Sequence, residues 1–168
     1  ILPLLKARGI TRLDKVFISH NDNDHAGSLT QLAKGIPLKK VIKHDDLCRA
    51  GWQQQWQELT IRVLWPPAGY QDSENNLSCV LSISDGENTL LLPGDIDSDI
   101  ERILATGEAI QADILIAPHH GSNTSSSSEF IRAVAPEYVV FSQGYLNRWR
   151  FPAEAVVQRY QEQGVKLL

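Results

Sequence analysis

Between Ser19 and Ser28 the chain reads Ser-His-Asn-Asp-Asn-Asp-His-Ala-Gly-Ser, directly behind the apolar run Val16-Phe17-Ile18. His20, Asp22, Asp24 and His25 fall within six consecutive positions. Ionised carboxylates crowded beside imidazoles are costly unless a cation lies among them. Asn21, Asp22, Asn23 and Asp24 alone would suit a solvated turn; two histidines are what such a turn does not need. The pattern predicts a site for one or two divalent cations at the end of a buried strand. It also constrains the fold, which must present that strand end to a cleft. Alternate side chains of an extended segment share a side. His20, Asp22 and Asp24 are therefore expected to face one way, with a turn at Gly27 bringing His25 round.

Two more apolar segments end in the same manner. Leu90-Leu91-Leu92-Pro93-Gly94 runs into Asp95, and Ile114-Leu115-Ile116-Ala117-Pro118 runs into His119-His120-Gly121-Ser122. Strand ends in layered sheets are where ligands usually bind, so the three ends are expected to converge. Gly121 lets a backbone N–H approach an anion. Around these segments the pattern predicts helices over 2–7, 29–34, 98–105, 129–134 (capped by Ser128) and 152–164. It predicts strands over 15–19, 40–43, 59–64, 79–84, 89–92, 114–117 and 138–142, with a hairpin turn at Asp85-Gly86-Glu87-Asn88. Ser122 to Ser128 reads as a low-complexity loop. A hairpin early and strand–helix alternation later predict a layered α/β (α+β) domain.

The 168 residues suit a single domain, and the net charge of −4 argues against a general nucleic-acid-coating surface. No apolar run is long enough to span a bilayer. Ile1 is not a natural initiator, and Ile1 to Leu5 reads like the inside of a fold, so a fragment of a longer protein is expected. Cys48 and Cys79 lack a CxxC spacing and read as two buried thiols. His44 reads as a surface histidine, Asn75-Asn76 as a turn, and Trp52 and Trp56 as loop or core residues. Arg148 and Arg150 flank Trp149; they are either phosphate grips beside a stacking ring or an exposed basic loop.

The order His20-x-Asp22-x-Asp24-His25, Asn75-Asn76-x-Ser78, Gly94-Asp95, His119-His120-Gly121-Ser122 resembles the metallo-β-lactamase superfamily. In particular, it resembles the C-terminal domain of the ComEC family of competence DNA-internalisation channel proteins. The resemblance implies an αββα sandwich whose first strands precede Ile1, with a dinuclear site at the sheet edge. His20 and Asp22 would hold one metal, Asp24 and His25 the other, and Asp95 would bridge them. Asp22 stands where histidine is commoner, which moves the preference from zinc toward manganese or magnesium. His119 or His120 would stand over the substrate phosphate or complete the metal shell. Gly121, Ser122, Arg148 and Arg150 would contact the substrate. The family usually carries a His-Pro after an Asn-x-aromatic pattern, and that histidine is a metal ligand; here the position is Phe151.

The implied activity is metal-dependent phosphodiester hydrolysis of incoming DNA, degrading one strand. Asp24 would orient water or take its proton, and His119 and His120 would stabilise phosphoryl charge. The implied partners are DNA, the membrane-channel portion of the same polypeptide and other DNA-uptake proteins. The implied location is the inner membrane, with this domain facing the periplasm. A fold that guides DNA or props the channel without chemistry is the rival reading; an acyl or thioester hydrolase is disfavoured by Asp22.

Overall fold

Asp85 makes the hairpin: its carboxylate accepts hydrogen bonds from the N–H groups of Glu87 (3.0 Å) and Asn88 (2.7 Å), and Gly86 takes the left-handed conformation the turn requires. The strands on either side continue into a large sheet in the computed structural model, which describes residues 1–43, 47–107, 109–144 and 146–168. His44 lies outside the described residues.

The chain runs through α1 (Leu2–Ala7), β1 (Val16–Ile18), α2 (Asn23–Ala26), α3 (Leu29–Gly35), β2 (Val41–Lys43), β3 (Gln53–Trp56), β4 (Leu59–Trp65), β5 (Val80–Ser84), β6 (Thr89–Leu92), α4 (Ser98–Thr106), β7 (Ile114–Ile116), α5 (Ser128–Val134), β8 (Tyr138–Val140), α6 (Glu154–Glu162) and β9 (Lys166–Leu167). Among the described residues, β3 to β9 form one sheet in sequence order, antiparallel from β3 to β6 and parallel from β6 to β9. β1 and β2 pair in parallel as a separate two-stranded sheet.

Parallel strands send the loops at their C-terminal ends to the same edge. Leu91 stands beside Leu115, and Ile116 beside Val140, so the segments after β6, β7 and β8 emerge together. The crossovers between them place α4, α5 and α6 on one face. Ile100 and Leu104 from α4, Phe130, Ile131 and Val134 from α5, and Val156 and Tyr160 from α6 form a buried core with Leu91, Leu115 and Val139 of the sheet. On the other face Ile61, Val63 and Leu81 form a second cluster, against which Phe17 of β1 packs. The two sheets thus face each other, as the sandwich reading expects.

Several local expectations change. Asn23–Ala26 is a helical turn, so Asp24 and His25 are not on an extended segment. β3 is additional: its glutamine-rich sequence carries no clear alternation, but it pairs with β4 residue for residue. Trp52 takes a core role, its ring 6.2 Å from that of Phe17. The cap of α5 is Ser127, one residue earlier than expected, accepting from the Phe130 N–H. Pro152 precedes α6, whose first helical residue is Glu154. Cys48 and Cys79 are buried as expected but joined in a disulfide, with Cα atoms 5.7 Å apart; sequence spacing carries no signal that these two positions meet.

Candidate metal centre

Each histidine of the first motif is held from behind by hydroxyls. Ser19 Oγ lies 3.1 Å from His20 Nδ1 and 3.0 Å from His25 Nδ1. Ser78 Oγ is 3.2 Å from His20 Nδ1 and also accepts the Asp95 N–H at 2.9 Å. The Cys79 N–H donates to the Ser19 carbonyl (2.8 Å), and the His119 N–H to the Gly94 carbonyl (3.0 Å). These bonds lace the ends of β1, β6 and β7 and the start of β5 into one frame.

Held in this way, the Nε2 atoms point forward onto Asp95. His25 Nε2 is 3.2 Å from Asp95 Oδ1; His120, His119 and His20 stand 3.6, 3.8 and 3.9 Å from Oδ2. His120 Nε2 also lies 3.4 Å from Asp24 Oδ2 and 3.2 Å from His25 Nε2. Asp22 Oδ2 is 3.7 Å from His20 Nε2. The structure therefore brings together the residues His20, Asp22, Asp24, His25, Asp95, His119 and His120.

It groups them differently from the resemblance. One group of donor atoms close enough to share a cation is His20, His25 and Asp95; the other is Asp24, His25 and His120. Asp22 borders the first set rather than joining it. The reason is local: Asp22 precedes the helical turn, while His25, on that turn, reaches inward to both sets. Between the adjacent histidines, His120 stands in a ligand set. Its Nδ1 donates to the Ser142 carbonyl at 2.6 Å, which leaves the neutral ring with its lone pair on Nε2, facing Asp24 and Asp95. His119 Nδ1 instead meets Thr124 Oγ1 at 3.2 Å. Both histidines sit at positive φ, 49° and 56°. Such backbone strain is common where side chains are aimed at a site.

The electrostatics suit a cation. Burial, reinforced by the His25 charge, keeps the His20 pKa below its ordinary value despite nearby carboxylates, so the ring is neutral, as a metal ligand must be. His20 is fully buried, and its Nε2 is a buried polar atom with no hydrogen-bond partner among the described residues. Such orphans are rare and costly, about 1–3 kcal/mol. An electron-pair acceptor at the cluster would satisfy it. For Asp95, burial pulls upward, but the His25 hydrogen bond and the charges of His25, His120 and His119 bring the carboxyl below its ordinary value. For His25, burial pulls downward and Asp95, Asp24 and Asp22 outweigh it, leaving the pKa raised. The donor set of imidazole nitrogens and carboxylates fits zinc or manganese.

Gly121 is buried, and a Cβ there would lie 2.7 Å from Pro152 and 2.9 Å from Phe141; its bare Cα serves close packing. Ser122 is buried too, its hydroxyl 3.1 Å from Thr124 Oγ1. Arg148 and Arg150 are exposed on the loop before α6. Phe151 stands edge-on to His119 with centroids 6.0 Å apart. Sequence reasoning missed Ser19, Thr124 and the Ser142 carbonyl as supports for the imidazoles. A hydroxyl residue beside each histidine motif is a signal too common to single them out.

The family model described as Metallo-beta-lactamase superfamily matches residues 2–144. Competence protein ComA of Neisseria gonorrhoeae is 38% identical over 175 residues, covering 100% of this chain and 25% of its own length. Recombination protein 2 of Haemophilus influenzae is 36% identical over 168 residues, covering 95% of this chain and 21% of its own. The chain thus spans a quarter or less of these relatives. Among solved structures, the metallo-beta-lactamase fold protein YhfI from Bacillus subtilis superposes with a TM-score of 0.61 at 14% identity, covering 98% of this chain and 78% of that one.

Proposed function

The chain belongs to the metallo-β-lactamase superfamily, and we propose that it is a metal-dependent phosphodiesterase that degrades one strand of incoming DNA during competence. The observation that carries this reading is the convergence of four imidazole Nε2 atoms within 3.9 Å of the Asp95 carboxylate, one of them buried and unpartnered. The relative named a competence protein, matched over the whole chain, supports DNA uptake as the setting. In this reading the domain is part of a longer membrane-embedded polypeptide and works beside its channel portion and other DNA-uptake proteins. The buried Cys48–Cys79 disulfide supports the periplasmic side, since disulfides persist in oxidising compartments.

His20, His25 and Asp95 would hold one divalent cation; Asp24 and His120, with the Asp95 carboxylate 3.6 Å from His120 Nε2 shared between the two, would hold a second. When bound, such cations supply Lewis acidity that acidifies water and offsets phosphoryl charge. Asp24, exposed at the cleft mouth, orients the attacking water and takes its proton. His119, tied by Thr124 and partly exposed, donates to a phosphoryl oxygen from the opposite side. Ser19 and Ser78 keep the imidazoles turned inward.

The test is cleavage of labelled DNA by the intact protein in manganese, with Asp24→Asn alongside. The reading predicts cutting that the variant loses; wild type and variant leaving DNA equally intact would sink it. A second reading, a domain that guides DNA or props the channel without chemistry, is favoured by Phe151 in place of the last histidine. Calorimetric titration separates the two: failure to take up manganese or zinc supports the second.

A further inference from the structure

The loop joining β8 to α6 is built against the histidine turn. Asn147 clamps it at two points: its side-chain N–H donates to the Phe151 carbonyl (2.8 Å), and its oxygen accepts the Phe151 N–H (2.9 Å). The Ala153 N–H then donates to the Gly121 carbonyl at 2.9 Å, while Pro152 fills the space a Gly121 side chain would need. Residues 147–153 are therefore tied together and anchored to the Gly121 carbonyl, beside His119 and His120.

On it, Trp149 is 62% exposed. A large aromatic ring left in solvent beside a catalytic cleft is well suited to a flat ligand. The Arg148 guanidinium lies over the indole, 4.3 Å from its centroid, an arrangement that covers one face with a cation and leaves a base to stack on the other. Trp149 and Phe151 line a cavity of about 330 Å³ together with Asp24 and His120. The same cavity thus brings cluster residues and a stacking surface together.

From this we infer that Trp149 is the base-stacking residue of a nucleotide subsite next to the cluster, and that the site takes single-stranded DNA. The inference rests on the phosphodiesterase reading. A phosphate at the cluster places the adjoining base in the cavity, where the indole receives its face and Arg148 meets the next phosphate. A paired, stacked base cannot enter without first leaving its duplex. Phe151 adds to the cavity's aromatic lining.

The test measures binding of a short phosphorothioate-linked oligothymidylate, slow to be cut, and of a duplex of the same length and backbone, to the intact protein in manganese by fluorescence anisotropy. Wild type binds the single strand more tightly than the duplex. Trp149→Ala weakens single-strand binding roughly tenfold and leaves duplex binding unchanged, and Trp149→Phe restores most of the loss. An abasic strand binds wild type and Trp149→Ala alike. Equal single-strand affinity of wild type and Trp149→Ala, or equal losses on strand and duplex, overturns the inference. Cleavage that persists alongside either result leaves the phosphodiesterase reading intact; selective single-strand binding without cleavage does the reverse.

Discussion

Asp95 and Glu101 are both buried carboxylates, 4% and 0% exposed, six residues apart on the segment that follows β6. Their surroundings differ in kind. Glu101 accepts the N–H groups of Ser126 and Ser127 at 2.5 and 2.8 Å. Arg159 donates to the Ser125 and Ser126 carbonyls (2.9 and 2.7 Å), and the Tyr160 hydroxyl donates to Ser126 Oγ at 3.1 Å. Each polar group in that knot meets a protein partner, and the knot fixes the loop that carries Thr124 behind His119. Around Asp95 the neighbours are imidazole nitrogens, and His20 Nε2 has no hydrogen-bond partner among the described residues. A network that satisfies itself is framework; one whose lone pairs converge is shaped for a cation.

The largest effect that separates the two comes from Asp95→Asn. Removing the shared carboxylate is expected to lower manganese affinity at least about a hundredfold and DNA cleavage at least about a thousandfold, some 4 kcal/mol of transition-state stabilisation. Stability of the metal-free protein to urea should fall by no more than about 2 kcal/mol, as the His25 hydrogen bond and the imidazole charges that hold the carboxyl low are weakened. Manganese uptake by Asp95→Asn at the wild-type affinity, measured calorimetrically, breaks the contrast.

Reduction of the Cys48–Cys79 disulfide comes next. Its 31-residue separation gives a loop-closure contribution of roughly 3–4 kcal/mol. Reduced protein should unfold at correspondingly lower urea, and thiol titration of the native unreduced protein should find none free. Glu101→Ala is the mirror of Asp95→Asn. It leaves the buried Ser126 N–H and the partly buried Ser127 N–H unpaired, at a cost of about 3 kcal/mol in stability, and should change manganese affinity less than about fivefold. If metal affinity falls with stability instead, the knot is part of the site rather than its support.

The same contrast explains what could be read from the chain. The cluster was legible because its parts are unusual residues at the ends of apolar runs: His20 to His25, Asp95, and the histidine pair. Strand alternation and the Asp85–Asn88 turn placed most of the sheet. What could not be read depended on tertiary position. Glu101 lies between Ile100 and Leu104 on the buried side of α4, yet a glutamate in a helix carries no mark of burial. The serine-rich loop read as low complexity, although Ser125 and Ser126 are 1% and 0% exposed; its order comes from Glu101 and Arg159, which lie about 25 and 33 residues away. The helical turn at Asn23–Ala26 is too short to leave a period, and it turns His25 inward toward His20 and Asp95 while Asp22 stays before it.

Phe151→His sharpens the comparison from the metal side. Its ring already faces His119 and lines the cavity with Asp24 and His120, so an imidazole there adds a donor beside the second set. A gain of roughly tenfold in affinity for the weaker cation, about 1.4 kcal/mol, is expected in a calorimetric titration, with no gain for the tighter one. An equal gain at both positions would show that the two sets act as one.

The smallest effect is a pH dependence confined to the framework. Burial, opposed by the Ser126 and Ser127 hydrogen bonds, holds the Glu101 carboxyl above its ordinary value of 4.5. The folded chain therefore grips this proton more tightly than the unfolded chain does. The stability it contributes is complete below the ordinary value and is lost as the pH climbs through the raised one. In Glu101→Gln the amide does not titrate, so the stability difference between wild type and variant is greatest in acid and narrows as pH rises. Asp95 runs the opposite way, since its carboxyl is held low: its contribution is present above the ordinary carboxylate range and lost on acidification. Being common to both proteins, it cancels in the difference. Urea titrations of the pair at a series of pH values, in chelator, isolate Glu101. A gap that widens with rising pH would mean that the carboxylate, not the acid, is the form the knot is built to hold.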